Sequence, residues 1–288
     1  MLSTLVLLAA LQQPAALDTT LAVRPSTRLE VQLSAGSIRV SAWDRDAVRV
    51  QARPRGQAAV DVRLAGSVLN VTGRAPQGSA VEVADVEVTA PRWMDLKLGR
   101  GDVDITVTGS QGSIDASNYD GDISVDGGRG VVILQSTLGA VTLRRARGRV
   151  SASATHEPVT ISDVVGDVEA ESDSKQVTLA RIDSRNVRAT SVGGAIRFSG
   201  PFHPDGRYSF STHMGSIWAW VPAPANATLS VATVNGGFGS DFPHTVTERT
   251  RRMIFTARVG DGSAQVQMES FSGGIFLRRL VPGAPEPH

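Results

Sequence analysis

Residues 121–153 read "GDISVDGGRGVVILQSTLGAVTLRRARGRVSAS", and the stretch has a fixed beat. Gly121, Gly130, Gly139 and Gly148 stand nine residues apart, and each opens the pattern x-[Val/Ile]-x-[apolar or Ala]. The same register continues upstream as Gly101-x-Val103-x-Ile105 and Gly112-x-Ile114-x-Ala116. Downstream it continues as Glu157-x-Val159-x-Ile161, Gly166-x-Val168-x-Ala170, Lys175-x-Val177-x-Leu179, Arg185-x-Val187-x-Ala189 and Gly194-x-Ile196-x-Phe198. Eleven units in phase, with slips of one or two residues, mark a repeat architecture.

Each unit alternates apolar and polar residues over about five positions, the period of a strand with one buried face. Between Gly101 and Phe198 no apolar set recurs at helical spacing, so the fold class is all-β. The second inward position alternates in size: Leu143, Ala152, Ile161, Ala170, Leu179, Ala189, Phe198. The turn sequences alternate in step with it, so the true period is about eighteen residues and two strands. We therefore expect a parallel β-solenoid of two strands per coil, with bulky residues on one wall meeting alanine on the other. An antiparallel sandwich of nine-residue hairpin arms would explain nine but not eighteen. Burial of each Val, Ile or Leu is worth about 1.5–3 kcal/mol, so stacked coils hold where one alone does not. Glycine at the corners is expected to supply φ > 0.

Both ends leave the beat. Residues 18–100 carry strand-like runs at wider spacing ("RLEVQL", "SIRVSAW", "AVRVQA"), and residues 201–280 do the same ("YSFST", "GSIWAWVP", "RMIFTARV"). The expected organisation is an N-terminal β cap over 18–100 and regular solenoid repeats over 101–200. C-terminal β units and a cap over 201–280 would follow, then a disordered tail over 281–288. Irregular end units of this kind would keep naked strand edges from being offered. Residues 2–11, "LSTLVLLAAL", are too short to span a bilayer and fit the core of a signal peptide over 1–17, with small residues near Ala15 and Ala16 for cleavage.

Composition narrows the function classes. Among 288 residues the net charge is +1 and charged residues make up 20%, which favours neither disorder nor capture of nucleic acid. There is no cysteine, which excludes disulfides, thiolate zinc sites, thiol catalysis and a lipoprotein anchor. No cofactor motif and no catalytic constellation is present: G-x-S-x-G and G-x-G-x-x-G are absent. The five histidines, His156, His203, His213, His244 and His288, never pair at metal spacing. "GGFGSDF" at 236–242 imitates one calcium nonapeptide, but such sites lie between successive copies, and Pro243 stands where a large apolar residue belongs.

The units "GDISV", "GAVTL", "GDVEA" and "GAIRF", the early "GSIRVSAWDRDAVRV", the late "VATVNGGFGSDFP" and the closing "GDGSAQVQMESFSGGIFL" together resemble the bacterial putative-adhesin family, domain of unknown function 4097. The resemblance covers roughly residues 27–278. It implies an exported, all-β, repeat-built protein of the bacterial envelope, and it carries over no catalytic residue.

Three surface features are candidate binding sites. "RRARGR" places Arg144, Arg145, Arg147 and Arg149 at one corner and its neighbouring strand, and Arg181 and Arg185 recur further on. An arginine stripe would suit an anionic polymer such as lipopolysaccharide or teichoic acid; balance by Asp163 and Asp183 would make it an ordinary corner. Thr142, Thr160 and Thr178 should form a ladder on one outward face. Trp218 and Trp220 share one strand face, where an end-cap core is the favoured reading and a sugar platform the other. The expectation is a non-enzymatic, exported protein, periplasmic or at the cell surface and not membrane-spanning. It would bind an anionic envelope polysaccharide or another surface protein. A self-associating scaffold is the alternative, and a polysaccharide-active β-helix enzyme comes third.

Overall fold

A computed structural model describes residues 16–56, 58–75, 83–251 and 253–281. Most of the expected signal peptide (1–15) and of the tail (282–288) lies outside the described residues. Those described contain strands and turns and no helix, and all the strands join one hydrogen-bonded sheet. That sheet folds back on itself into two walls. The long strands Arg28–Trp43 and Leu96–Ser110 bend from one wall into the other and hold them together.

Within each wall the central pairings are parallel, and each strand bonds to the next but one in the chain. Val141 faces Ile123 on one side and Val159 on the other, and Val159 in turn faces Val177, each step being eighteen residues. The other wall repeats this with Val132, Val150 and Val168. Parallel pairing at this offset rules out the sandwich of hairpin arms, whose neighbours would run antiparallel. We refer below to one step of the stack, one strand from each wall, as a layer.

In what we term the front wall, the spatial order runs Ile123–Gly127, Val141–Arg144, Val159–Val165, Val177–Asp183, Ile196–Ser199, Ile217–Val221, Ile275–Arg279, Phe238–Ser240. In the back wall it runs Ile114–Asn118, Arg129–Ser136, Arg147–Ala154, Val168–Ser172, Asn186–Ser191, Arg207–Thr212, Ala264–Ser270, Ala227–Thr233. The last two layers are out of chain order. The chain passes over the penultimate position, builds the final layer, makes the antiparallel hairpin His244–Arg251/Ile254–Val259, and returns to fill the gap. At the other end Arg28–Trp43 is likewise enclosed. Val68–Arg74 and Val83–Pro91, which come later in the chain, pair on its outer side, and Leu96–Ser110 pairs on its inner side. Antiparallel strands finish both ends: Ala59–Ala65 beside Val68–Arg74, and Ala47–Pro54 then Leu17–Ala22 beside Val83–Pro91.

The core lies between the walls. Leu143, Ile161, Leu179 and Phe198 are buried from the front and Ala152, Ala170 and Ala189 from the back. The size rule then inverts one layer later, where Ala219 follows Phe198 and Phe210 follows Ala189. At the switch, Phe198 and Phe210 pack with ring centroids 5.2 Å apart, and Tyr208 meets Phe198 edge-on at 6.0 Å. One corner also buries more than a bare turn would. Arg145, Asp163 and Arg181 take left-handed φ values of 57°, 57° and 53°, which steer the following Ala146, Val164 and Ile182 into the core.

The glycine beat has two physical causes, and only one was expected. Gly148, with φ of 121°, needs the conformation that glycine adopts freely. Gly139 does not have a positive φ. A Cβ there would stand 1.7 Å from the carbonyl oxygen of Gly121 in the layer before, so the requirement is close approach between layers.

A buried polar ladder joins the layers at the opposite corner. Asn118, Ser136, Ala154, Ser172, Ser191, Thr212, Ser270 and Thr233 are successive partners across the back wall. Ser191 shows the pattern: its hydroxyl donates to the carbonyl of Lys175 in the preceding layer (2.8 Å) and accepts from the N–H of Gly194 in its own turn (2.9 Å). Thr212 donates to the Gly194 carbonyl, Ser270 to that of Gly215, and Thr233 to that of Gly273. These bonds follow the stack through its out-of-order end. Each of these hydroxyls gives a part-buried turn carbonyl a donor.

Candidate binding groove

Outward-facing side chains of the front wall stand in rows, one residue per layer. The first row is Ser124, Thr142, Thr160, Thr178, Arg197, Trp218, Phe276, and it contains the expected threonine ladder. The second, two residues along each strand, is Asp126, Arg144, Ser162, Ala180, Ser199, Trp220, Arg278, with Asp126 turned to Arg145. Three small residues between Arg144 and Trp220 make a trough in that row. Its volume is about 360 Å³, and Thr142, Thr160, Thr178, Gln176, Arg181 and Arg197 are among the residues that also line it. Ser162 and Ser199 at its floor are buried by these walls.

Trp218 and Trp220 therefore stand on the outer face, each half-exposed, while Ile217, Ala219 and Val221 between and beside them fill the core. The expected end-cap core is supplied by those smaller residues, because alternation puts both tryptophans on the solvent side of one strand. Trp218 stacks on Phe276 at 4.0 Å and lies parallel to Trp220 at 5.7 Å. Arg278 sits over the rings of Trp218 and Phe276, held by Asp241 at 2.8 Å. Trp220, whose neighbour in the preceding layer is the small Ser199, forms one end of the trough.

The arginines divide into three groups around the molecule. Arg144 and Arg181 line the front trough. Arg145 and Arg147 lie at the corner, beside Arg92, Arg129 and Asp126. Arg149 lies on the back wall with Arg188 and Arg207. Arg185 is exposed at the turn before the back-wall strand, where its carbonyl accepts the N–H of Arg207.

Several are already engaged. Arg145 is chelated by Asp126, whose hydrogen bond and charge raise the guanidinium pKa further. Arg181 holds Asp163 through two hydrogen bonds of 2.6 and 2.8 Å, and this pairing draws the Asp163 carboxyl below the ordinary carboxylate range. Asp183 is taken by His203. Arg144 has no carboxylate within ion-pair distance among the described residues, and Arg197 has only the neutral Gln176 amide as hydrogen-bond partner. Sequence reasoning missed Arg197 because one inserted residue moves it from eighteen to nineteen past Thr178. Counting registers through that slip would have put it in the threonine row.

The back wall carries a larger open concavity, about 920 Å³, lined by serine, threonine, glutamine and mixed charges. Some of its charged groups are engaged, Arg188 facing Glu169 at 3.9 Å and Asp167 accepting from the Asn186 amide at 2.9 Å, while Arg149 and Arg207 are in no ion pair among the described residues. Its one aromatic, Tyr208, is buried, with its hydroxyl bound to the Ser184 carbonyl. The front trough sets two cations that are in no ion pair among the described residues beside the ring of Trp220. Asp241 of the calcium-like stretch is spent on Arg278 and on the N–H of Arg279. Among the described residues no group of three or more His, Cys, Asp or Glu could hold a metal, and no helix is long and apolar enough to cross a membrane.

Comparison with known proteins gives one family match: the model described as Toastrack DUF4097 matches residues 26–278. No curated protein matches. Solved structures similar to this chain include a "putative adhesin" from Bacteroides fragilis (12% identity, 92% of this chain and 97% of that one, TM-score 0.40). Others are a "putative cell adhesion protein" from Clostridium sporogenes (6%, 92% and 100%, TM-score 0.24) and a "putative lipid binding protein" from Parabacteroides distasonis (10%, 92% and 97%, TM-score 0.31).

Proposed function

This chain belongs to the Toastrack DUF4097 family, and on that premise we propose that it is an exported, non-enzymatic binding protein of the bacterial envelope. It is wound as a β-solenoid of about eighteen residues and two strands per coil, a reading supported by the parallel pairings at that offset. Its apolar N-terminal run supports export. The working surface is the front wall, which holds an anionic polymer of the envelope.

One observation carries this reading: Arg144 and Arg197 open onto the same trough with no carboxylate within ion-pair distance among the described residues. Cations fixed on one rigid wall, here three layers apart, match an anion that also repeats. The test is co-sedimentation of the full chain with purified envelope fractions at low and high salt. Binding should weaken with salt. It should weaken further in the double variant Arg144→Ser/Arg197→Ser and stay unchanged in Arg149→Ser, on the other wall. Salt-independent binding, or equal loss in Arg149→Ser, would overturn it.

A second reading has its own support. Tyr119, Leu138, Val192, Met214, Phe271 and Val234 are all exposed, and all sit in the turns that follow the buried polar ladder, along one narrow edge of the slab. That edge would join two copies side by side. A concentration-dependent mass in solution, lost in Met214→Asp/Phe271→Asp, would place self-association ahead of polymer binding.

A further inference from the structure

We infer that the polymer is an acidic glycan, and that the trough holds a segment of about three sugars by a ring stack at Trp220 and carboxylate contacts at Arg144 and Arg197. This rests on the proposed binding role and names its ligand.

Length comes first. From Arg144 to Trp220 the row crosses four strand steps. At about 4.8 Å per step that is roughly 19 Å, room for about three pyranose rings laid end to end across the strands. The floor is made of Ser162, Ala180 and Ser199, so nothing in the row rises to block such a chain. Thr142, Thr160 and Thr178 run alongside at the same spacing and offer a hydroxyl at each layer.

Chemistry comes next. A polyphosphate backbone could use the arginines but has no use for a tryptophan. The apolar C–H face of a sugar ring packs on an indole, and Trp220 is the ring that borders the trough. Its neighbours brace it: Trp218 lies parallel to it, and Phe276 stacks on Trp218 in turn. A guanidinium fork pairs a carboxylate bidentately, and Arg144 and Arg197 are the forks not committed to an acid. Arg144 heads the floor row and Arg197 stands three strand steps on in the row beside it, so carboxylates on the first and third sugars could each meet one. A neutral glycan would offer both cations hydroxyl acceptors but no countercharge.

The experiment follows intrinsic tryptophan fluorescence of the full chain on titration with tri- and hexagalacturonate, maltotriose and inorganic polyphosphate. Trp43, Trp93, Trp218 and Trp220 are the four emitters, and only the last borders the trough. Galacturonate should quench and blue-shift the emission, maltotriose should not, and the hexamer should bind little better than the trimer. Trp220→Ala and Ala180→Phe, which fills the trough from an outward position, should each weaken galacturonate binding tenfold or more. Melting profiles matching the parent would show that both fold. Polyphosphate binding that is equal in parent, Trp220→Ala and Ala180→Phe would overturn the glycan and leave the anionic polymer standing. So would salt-sensitive binding to envelope fractions with no response to galacturonate. Failure of both the fractions and the pure probes would remove both readings together.

Discussion

A single buried hydroxyl in most layers does more to fix the turns than their sequence variety suggests. Ser172 donates to the Glu157 carbonyl at 3.0 Å and accepts from the N–H of Lys175 at 3.2 Å. Removing it in Ser172→Ala leaves a buried donor and acceptor unanswered, and we expect a loss of about 1–3 kcal/mol in chemical denaturation. Ala154 is the converse case, because it holds the same position between Ser136 and Ser172 and is 3% exposed. Ala154→Ser should gain up to about 1 kcal/mol by making the bonds its neighbours make. An equal loss in both variants would mean that packing, not the hydroxyl, governs the site. This ladder was open to view in the spacing S-x-x-G of Ser136–Gly139, Ser191–Gly194 and Ser270–Gly273. Residue type does not mark it, because asparagine, alanine and threonine fill the same position at Asn118, Ala154 and Thr212. The glycines themselves were half understood: a torsion angle can be anticipated from residue type, but the proximity that constrains Gly139 belongs to another layer.

Strands and corners were more legible than single residues. A period of two within each strand and eighteen between equivalent strands specifies direction, register and facing, so Thr142, Thr160 and Thr178 fell into line as expected. The arginines did not, because corner residues turn through the whole perimeter within a few positions and scatter to three surfaces. At that corner the charges have an energetic role. Asp163 is held below the ordinary carboxylate range by the Arg181 hydrogen bond, and Asp241 by the N–H of Arg279. A carboxylate depressed in the folded state contributes stability that is fully present above its unfolded value, about 4. That contribution is lost as pH falls through the lower native value. Denaturant midpoints should therefore be flat, as far as these two groups are concerned, from neutrality to about pH 5 and decline below about pH 4. In Asp163→Asn the decline should be shallower, and an unchanged acid profile would show that the Arg181 pair carries no such weight.

For the molecule as a whole, what matters is the order of the stack, and here the sequence was silent. Ala264–Ser270 and Ile275–Arg279 are the last strands of the chain, yet they lie between layers and pair on both sides. Nothing in their composition separates an inner from an outer layer, since both need the same alternation. Truncation after Ser263 should therefore do more than shorten the slab. It removes the partner of Arg207–Thr212 and Ala227–Thr233 together, so hydrogen exchange should rise across residues 207–233 as a block. Protection kept in Ala227–Thr233 would mean that the final layer can close directly on its new neighbour. The same enclosure governs how the protein would bear tension. A solenoid whose ends were its termini would peel one outer strand at a time when pulled. Here a load at the N-terminus would peel only Leu17–Ala22 from Ala47–Pro54 before it reached Arg28–Trp43, and a load at the C-terminus reaches Ile275–Arg279 directly; both of those strands lie inside the stack and must shear free of two neighbours at once. A chain tethered at one end and holding a polymer on its front wall would thus resist being unravelled by its own anchor.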